Sequence, residues 1–218
     1  MGYNIPMNVR GFTLVEMVVC IAIFAMMTAL LVAKYGTFNQ SVLLTDLAYD
    51  TAITVRTAQT FGLSVQSSAI GAGSSFNYAY GVEFCAIAAG VGCGTVNSVN
   101  LYNNLLVLFA DANSNGSIIG DGIYNAGDIQ ESLYTITRGA VISGFCFTDG
   151  CSASDIDPNN TRLDITFKRP NPDAVINVLN KNSSWSSNNS YAAIFIKGTD
   201  GSTRQVIVRN TGQVSVKE

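Results

Sequence analysis

From Phe12 to Ala33 the chain reads FTLVEMVVCIAIFAMMTALLVA, an apolar run of 22 residues with one charge, Glu16. As a helix rising ~1.5 Å per residue, such a run reaches ~33 Å, enough to cross the ~30 Å hydrocarbon core of a bilayer. A secretory signal has a shorter apolar region closed by a small-residue cleavage site. Here the run is longer and leads into Lys34, Tyr35 and an amphipathic stretch. A core helix buried on all faces would be out of place before a chain of strands, so the pattern predicts a membrane-spanning helix. Beyond it, Leu44, Ala48, Ala52, Val55, Ala58 and Gly62 recur at three- and four-residue steps, with Asp46, Asp50, Arg56 and Gln59 between them. The helix is expected to continue to about Phe61 and to lay this small-residue stripe on a globular body. Proline is absent between Pro6 and Pro158, so any bend would come from Gly36 and its polar neighbours Thr37 and Asn39.

The rest alternates or is β-branched in short runs between clusters of Gly, Asn, Asp and Ser, which predicts strands. They are expected near Ala79–Ala86, Leu105–Ala110, Ser132–Thr137, Ala140–Phe147, Arg162–Lys168, Ala174–Leu179, Ala192–Lys197, Arg204–Arg209 and Gln213–Val216. The Asn- and Ser-rich stretch Asn180–Ser190 reads as an exposed loop. The expected fold class is α+β: one long helix, half membrane-spanning and half amphipathic, against an antiparallel sheet.

Charge and composition narrow the function. With 218 residues, 12% charged and 48% apolar, the chain suits one globular body plus an anchor. The net charge of −3 hides an asymmetry. Between Leu63 and Asn160 one basic residue, Arg138, faces eight acids, whereas from Thr161 onward eight Lys and Arg face four. Histidine is absent, which removes the commonest general base at neutral pH and the commonest transition-metal ligand. No nucleophile elbow, phosphate-cradling loop or HExxH motif occurs, and Asp155 and Asp157 sit in a turn-like DPNN context, so the sequence reads as non-enzymatic.

Glu16 is the anomaly of the apolar run, because an ionisable group there asks for a partner. Arg10-Gly11-Phe12-Thr13-Leu14-Val15-Glu16 resembles the processing signature of class III signal peptides, found in type IV pilins and in the pseudopilins of type II secretion. The resemblance implies that a prepilin peptidase cuts between Gly11 and Phe12 on the cytoplasmic side and that the new Phe12 amine is N-methylated. It implies further that Glu16 pairs with the Phe12 amine of a neighbouring subunit. The implied organisation is a leader at residues 1–11, a helix at 12–62 with polymerisation segment 12–33, and an extracytoplasmic body at 63–218. The implied partners are other pilin subunits, the peptidase, an inner-membrane assembly platform and, before assembly, membrane lipid. The implied location is the cytoplasmic membrane, then a cell-surface filament. Type IV pilins often carry a proline partway along the helix, which this chain lacks.

Phe109-x-Asp111-x-Asn113-x-Asn115-Gly116, with Tyr124-Asn125-Ala126-Gly127-Asp128, is similar to a loop of GspH/FimT-like minor pilins and pseudopilins. Arg204-x-x-x-x-Arg209-Asn210-Thr211-Gly212-Gln213-Val214 is similar to their closing hairpin. The loop departs from that pattern by about five extra residues around Ser117–Asp121 and by Asn125, where an aspartate is common. Oxygen ligands at alternate positions with glycine sixth also fit the start of a calcium loop, with Ile118 anchoring it. The twelfth position is Gly122, so Asp121, Asp128 or Glu131 would have to replace the bidentate glutamate. The alternative is a turn-rich loop held by Asn and Asp.

Among the cysteines, Cys20 lies in the apolar run. Cys85, Cys93, Cys146 and Cys151 allow three connectivities. Their short spacings favour Cys85–Cys93 and Cys146–Cys151, with reduced buried thiols as the alternative; zinc fits the spacings poorly. Some proteins of the resembled family capture DNA. Here Arg162, Lys168, Arg169, Arg204 and Arg209 could supply phosphate contacts, alongside Lys181, Lys197 and Lys217, or form a solvated strand face.

Overall fold

The structure is a computed structural model that describes residues 11–64, 78–87, 93–112 and 120–217, with the backbone alone for residues 34–39. Arg10 and the residues before it lie outside the described residues. The chain divides into two units, Met1–Asn39 and Gln40–Glu218.

One helix, α1 (Leu14–Leu63), begins in the first unit and ends in the second, and its backbone stays helical through Gly36, Thr37 and Asn39. In the first unit Leu14–Ala33 is long and apolar enough to cross a membrane, and none of it is buried by protein. In the second unit the predicted stripe of Leu44, Ala48, Ala52, Val55 and Ala58 is buried. The amphipathic half of the helix is thus part of the body, and its alanines let it approach the sheet closely. At Gly62 the approach is tightest: an added Cβ would stand 2.4 Å from the Phe167 carbonyl oxygen.

Among the described residues twelve strands follow in chain order. They are β1 (Ala79–Cys85), β2 (Thr95–Val96), β3 (Val99–Asn100), β4 (Leu105–Asp111), β5 (Ile129–Thr135), β6 (Val141–Cys146), β7 (Asn160–Phe167), β8 (Ala174–Asn180), β9 (Trp185–Ser186), β10 (Tyr191–Lys197), β11 (Thr203–Arg209) and β12 (Val214–Lys217). A six-stranded sheet has the order β5-β4-β1-β7-β8-β9, a four-stranded sheet the order β12-β11-β10-β6, and β2 pairs with β3. All ladder pairings are antiparallel. The fold is α+β, as the periodicity predicts.

The main core lies between the helix stripe and the inner faces of both sheets, with Val82, Phe84, Leu163, Ile165, Ile194 and Val206 at its centre. Each large apolar side chain buried here contributes ~1.5–3 kcal/mol. Both sheets also bury part of their outer faces. On the larger one, Cys85, Val107 and Phe109 pack under Leu101 and Tyr124. On the smaller one, Tyr191, Ala193 and Phe195 pack with Cys146 and Cys151. This double cover is why β1 is buried along its whole length.

Strand β5 starts and ends earlier than the sequence suggests. A register shift opposite Leu108 and Phe109 carries it, and the positive-φ pair Arg138 (φ 62) and Gly139 (φ 75) turns the chain towards β6. Expected loop Asn180–Ser190 contains the short strand β9, which adds Trp185 to the edge of the larger sheet.

Candidate functional site

The start of α1 is organised around Glu16. Thr13 stands just before the first helical residue, and its hydroxyl accepts a hydrogen bond from the Glu16 amide at 3.2 Å. In return the Thr13 amide donates to Glu16 Oε2 at 3.4 Å. This is a reciprocal capping box, Thr-x-x-Glu, which satisfies amide donors that a helix start otherwise leaves open. Gly11, Phe12 and Glu16 are all exposed, and an added Cβ at Gly11 would meet nothing within 4 Å. Gly11 and Phe12, on either side of the expected cleavage point, are therefore open, and the apolar run behind them exposes Phe24, Met26, Leu30 and Leu31.

In the body, polar residues on the outer face of the larger sheet form a buried ion cluster that the sequence does not reveal. Glu83 on β1 lies directly across the ladder from Asp164 on β7, and Arg162 is two residues along the same face. The Arg162 guanidinium donates to Asp164 Oδ1 at 3.2 Å and to Oδ2 at 2.8 Å, and lies 3.8 Å from Glu83 Oε1. It also donates to the Tyr124 carbonyl and is flanked by the rings of Tyr124 and Trp185 at 5.9 and 5.4 Å. Burial raises the Asp164 carboxyl to about 6 although Arg162 opposes the shift. Burial likewise holds Glu83 well above the ordinary carboxylate range, with Arg162 opposing and Asp164 adding to the effect. Two acids share one base out of water, so the arrangement favours retaining a proton.

Next to it, buried acids fasten the loop that covers this face. Asp111, at the end of β4, accepts the Gly122 amide at 2.7 Å through Oδ2, and Asp164 accepts the Tyr124 amide at 3.1 Å. Asp128 accepts the amides of Ala112 and Asn125 at 3.0 and 2.7 Å, and Asn177 donates to the Gly122 carbonyl at 2.9 Å. Gly120 crosses so close to Asp111 that an added Cβ would fall 1.8 Å from its Cγ, which reserves that position for glycine. Burial pushes the Asp111 carboxyl up to about 7.

Of the expected calcium ligands, Asn113 and Asn115 lie outside the described residues. Asp121 accepts the Ile123 amide at 3.0 Å and the Asn125 side-chain amide, while Glu131 is exposed on β5. Among the described residues no group of three or more such side chains is gathered closely enough to hold a metal ion.

The cysteines pair as Cys85–Cys93 and Cys146–Cys151, each closing a short loop, and Cys20 is exposed in the apolar run. The expected phosphate-binding residues differ in their surroundings. Arg162 is a correction: strand alternation puts it on the outward face, but the loop through Tyr124 covers that face, and its guanidinium is enclosed against Asp164. Arg209 is paired with Asp149 at 2.9 Å, and Arg204 donates to Thr45 and Ser41 of α1 at 3.1 Å. Lys168 and Arg169 are half-buried at the end of β7.

Comparison with known proteins falls on the N-terminus. Residues 6–32 match the family described as the prokaryotic N-terminal methylation motif, the class III signal peptide of type IV pilins. No curated protein and no solved structure matches the chain. The match covers the leader end and most of the apolar run and supports a type IV pilin-like or pseudopilin precursor. The motif indicates a structural protein, its place at the head of the apolar helix fits membrane insertion, and it implies peptidase processing and interaction with other pilins.

Proposed function

We propose that the chain is a subunit, either a pilin or a minor pilin or pseudopilin, of a type IV pilus or type II secretion-like filament. Cleavage falls between Gly11 and Phe12, and the freed Phe12 amine is methylated. The mature helix then assembles with its neighbours while the body from Gln40 onward is displayed outside the membrane. The observation that carries this reading is the methylation motif at residues 6–32 at the head of an apolar segment, Leu14–Ala33, that is exposed and long enough to cross a membrane. Cleavage supplies the cation that Glu16 lacks, and pairing it with Glu16 of an adjoining subunit offsets the desolvation of both charges. Two disulfides agree with a body that matures outside the reducing cytoplasm.

Mass spectrometry of the N-terminus in a sheared extracellular filament fraction tests this directly. A chain that begins at methylated Phe12 and is enriched in that fraction is the expected result. An intact Met1 confined to the membrane would leave only an anchored β-domain. Capture of DNA is the weaker reading, because Arg162, Arg204 and Arg209 are all engaged within the protein. Calcium at the Asp111 loop remains a proposal that rests on the Asp111-x-Asn113-x-Asn115-Gly116 spacing. Calcium should then protect the body from protease and Asp111→Ala should abolish the protection, whereas indifference to chelator would remove the idea.

A further inference from the structure

Three loops of the body meet in a polar cleft whose side chains the fold itself does not use. They are the connections from β7 to β8, from β9 to β10 and from β11 to β12, and they bring Asp173, Asn188, Asn189, Asn210 and Thr211 around Ala174 in a cleft of about 240 Å³. Main-chain bonds fix these loops to one another. The Ala174 amide donates to the Asn210 carbonyl at 2.7 Å, and the Asn210 amide to the Ser190 carbonyl at 3.0 Å. Gln59 of α1 ties two of the loops together by donating to the carbonyls of Pro172 at 3.2 Å and Gly212 at 3.0 Å. Gly212 (φ 81) lies so close to the Pro172 carbonyl that no side chain fits there.

The scaffold leaves the side chains free. Asp173, Asn188, Asn210 and Thr211 are exposed, and among the described residues none of their side chains has a hydrogen-bond partner, although the backbone beneath them is held. Asn188 also sits at φ 59, a left-handed conformation uncommon outside glycine. Polar groups fixed in position with their hydrogen-bonding capacity unspent need little ordering when a ligand binds.

We propose that this cleft binds one unit of a neutral saccharide. The chemistry of its walls selects that class. A sugar hydroxyl both donates and accepts, and the cleft offers amides and a hydroxyl that do both, beside a carboxylate that accepts. Among the described residues its walls carry no Lys, Arg or aromatic ring, and Asp173 repels anions, so neither a phosphate nor a stacked base is matched. One carboxylate is little charge for a divalent cation, and no group of three or more metal-binding side chains is gathered among the described residues. The volume lies a little below the ~300 Å³ at which clefts for drug-sized ligands begin, which suits a single sugar ring. The whole cleft belongs to the unit Gln40–Glu218, so binding needs neither cleavage nor assembly.

The test uses the full chain in a detergent that has no sugar headgroup. Saturation-transfer NMR is run against the methyl glycosides of glucose, galactose, mannose, N-acetylglucosamine and N-acetylgalactosamine, and against free lysine as a cationic probe. At least one glycoside should bind saturably, and lysine should not displace it. Asp173→Ala and Asn210→Ala should each weaken that binding by at least about tenfold, the effect of losing ~1.4 kcal/mol. Asn182→Ala, in the β8–β9 turn outside the cleft, should leave it unchanged. All three variants should keep the native melting midpoint, since the replaced side chains hold nothing in place. The proposal is overturned if no glycoside binds, if binding survives both cleft variants, or if lysine displaces the sugar. A lowered midpoint in Asp173→Ala or Asn210→Ala overturns it as well, because those side chains would then serve the loops rather than a ligand.

Discussion

Arg162 shows how a single side chain can be placed correctly by strand periodicity and still be read wrongly. In Arg162-Leu163-Asp164-Ile165-Thr166-Phe167 the polar positions alternate with the apolar ones, and alternation sends Arg162 and Asp164 to the face away from the core. That much was legible. The cover over this face comes from residues 101 and 124, far away in sequence, and no local pattern reports it. Once covered, Glu83 and Asp164 bind protons more tightly in the folded body than in the unfolded chain. Their stabilising contribution is fully present below the ordinary carboxylate range. It is lost as pH rises through the folded values, about 6 for Asp164 and well above the ordinary carboxylate range for Glu83. Glu83→Gln cannot ionise and nearly preserves shape. Thermal or urea unfolding between about pH 5 and pH 8 should therefore fall less steeply with pH in this variant, by on the order of 1 kcal/mol per pH unit. An unchanged slope would mean that the proton is held elsewhere.

At the level of elements, the long strands announce themselves because each contributes inward-facing β-branched or aromatic residues, as β1, β4, β7, β10 and β11 do. The two-residue strands β2, β3 and β9 do not, since a pair of residues has no period to read. The helix stripe was legible for the same reason as the strands, but its closest contact depends on what it meets. Gly62 reads as one more small residue at helical spacing, yet it sits where α1 touches the backbone of β7, and the Arg169 amide donates to its carbonyl at 3.2 Å. A side chain there must push the helix end off Phe167. Gly62→Val should lower stability by about 1–3 kcal/mol, the range for forced overpacking, read as a drop in the denaturation midpoint of the body. Gly11→Val, where an added Cβ is unopposed, should leave that midpoint unchanged.

For the whole molecule, the question is how one carboxylate serves both the isolated chain and the assembled one. Glu16 closes the capping box with Thr13, and the resemblance to pilins assigns the same group to the Phe12 amine of a neighbour. Capping needs an acceptor oxygen, which an amide also provides; pairing with an ammonium out of water needs the negative charge. Glu16→Gln separates the two roles. It keeps the acceptor for the Thr13 amide, so the helix start, membrane insertion and cleavage after Gly11 should proceed as in the native chain. It leaves the neighbour's Phe12 ammonium without its counter-charge, so the variant should accumulate as processed, membrane-bound subunit. Its share of the sheared filament fraction should fall by at least about tenfold, the factor that a 1.4 kcal/mol loss per contact produces. Quantitative mass spectrometry of the two fractions reads both outcomes. A Gln variant that is cleaved and assembles at native levels would show that Glu16 acts through its cap, and that registration between subunits lies with the body surfaces.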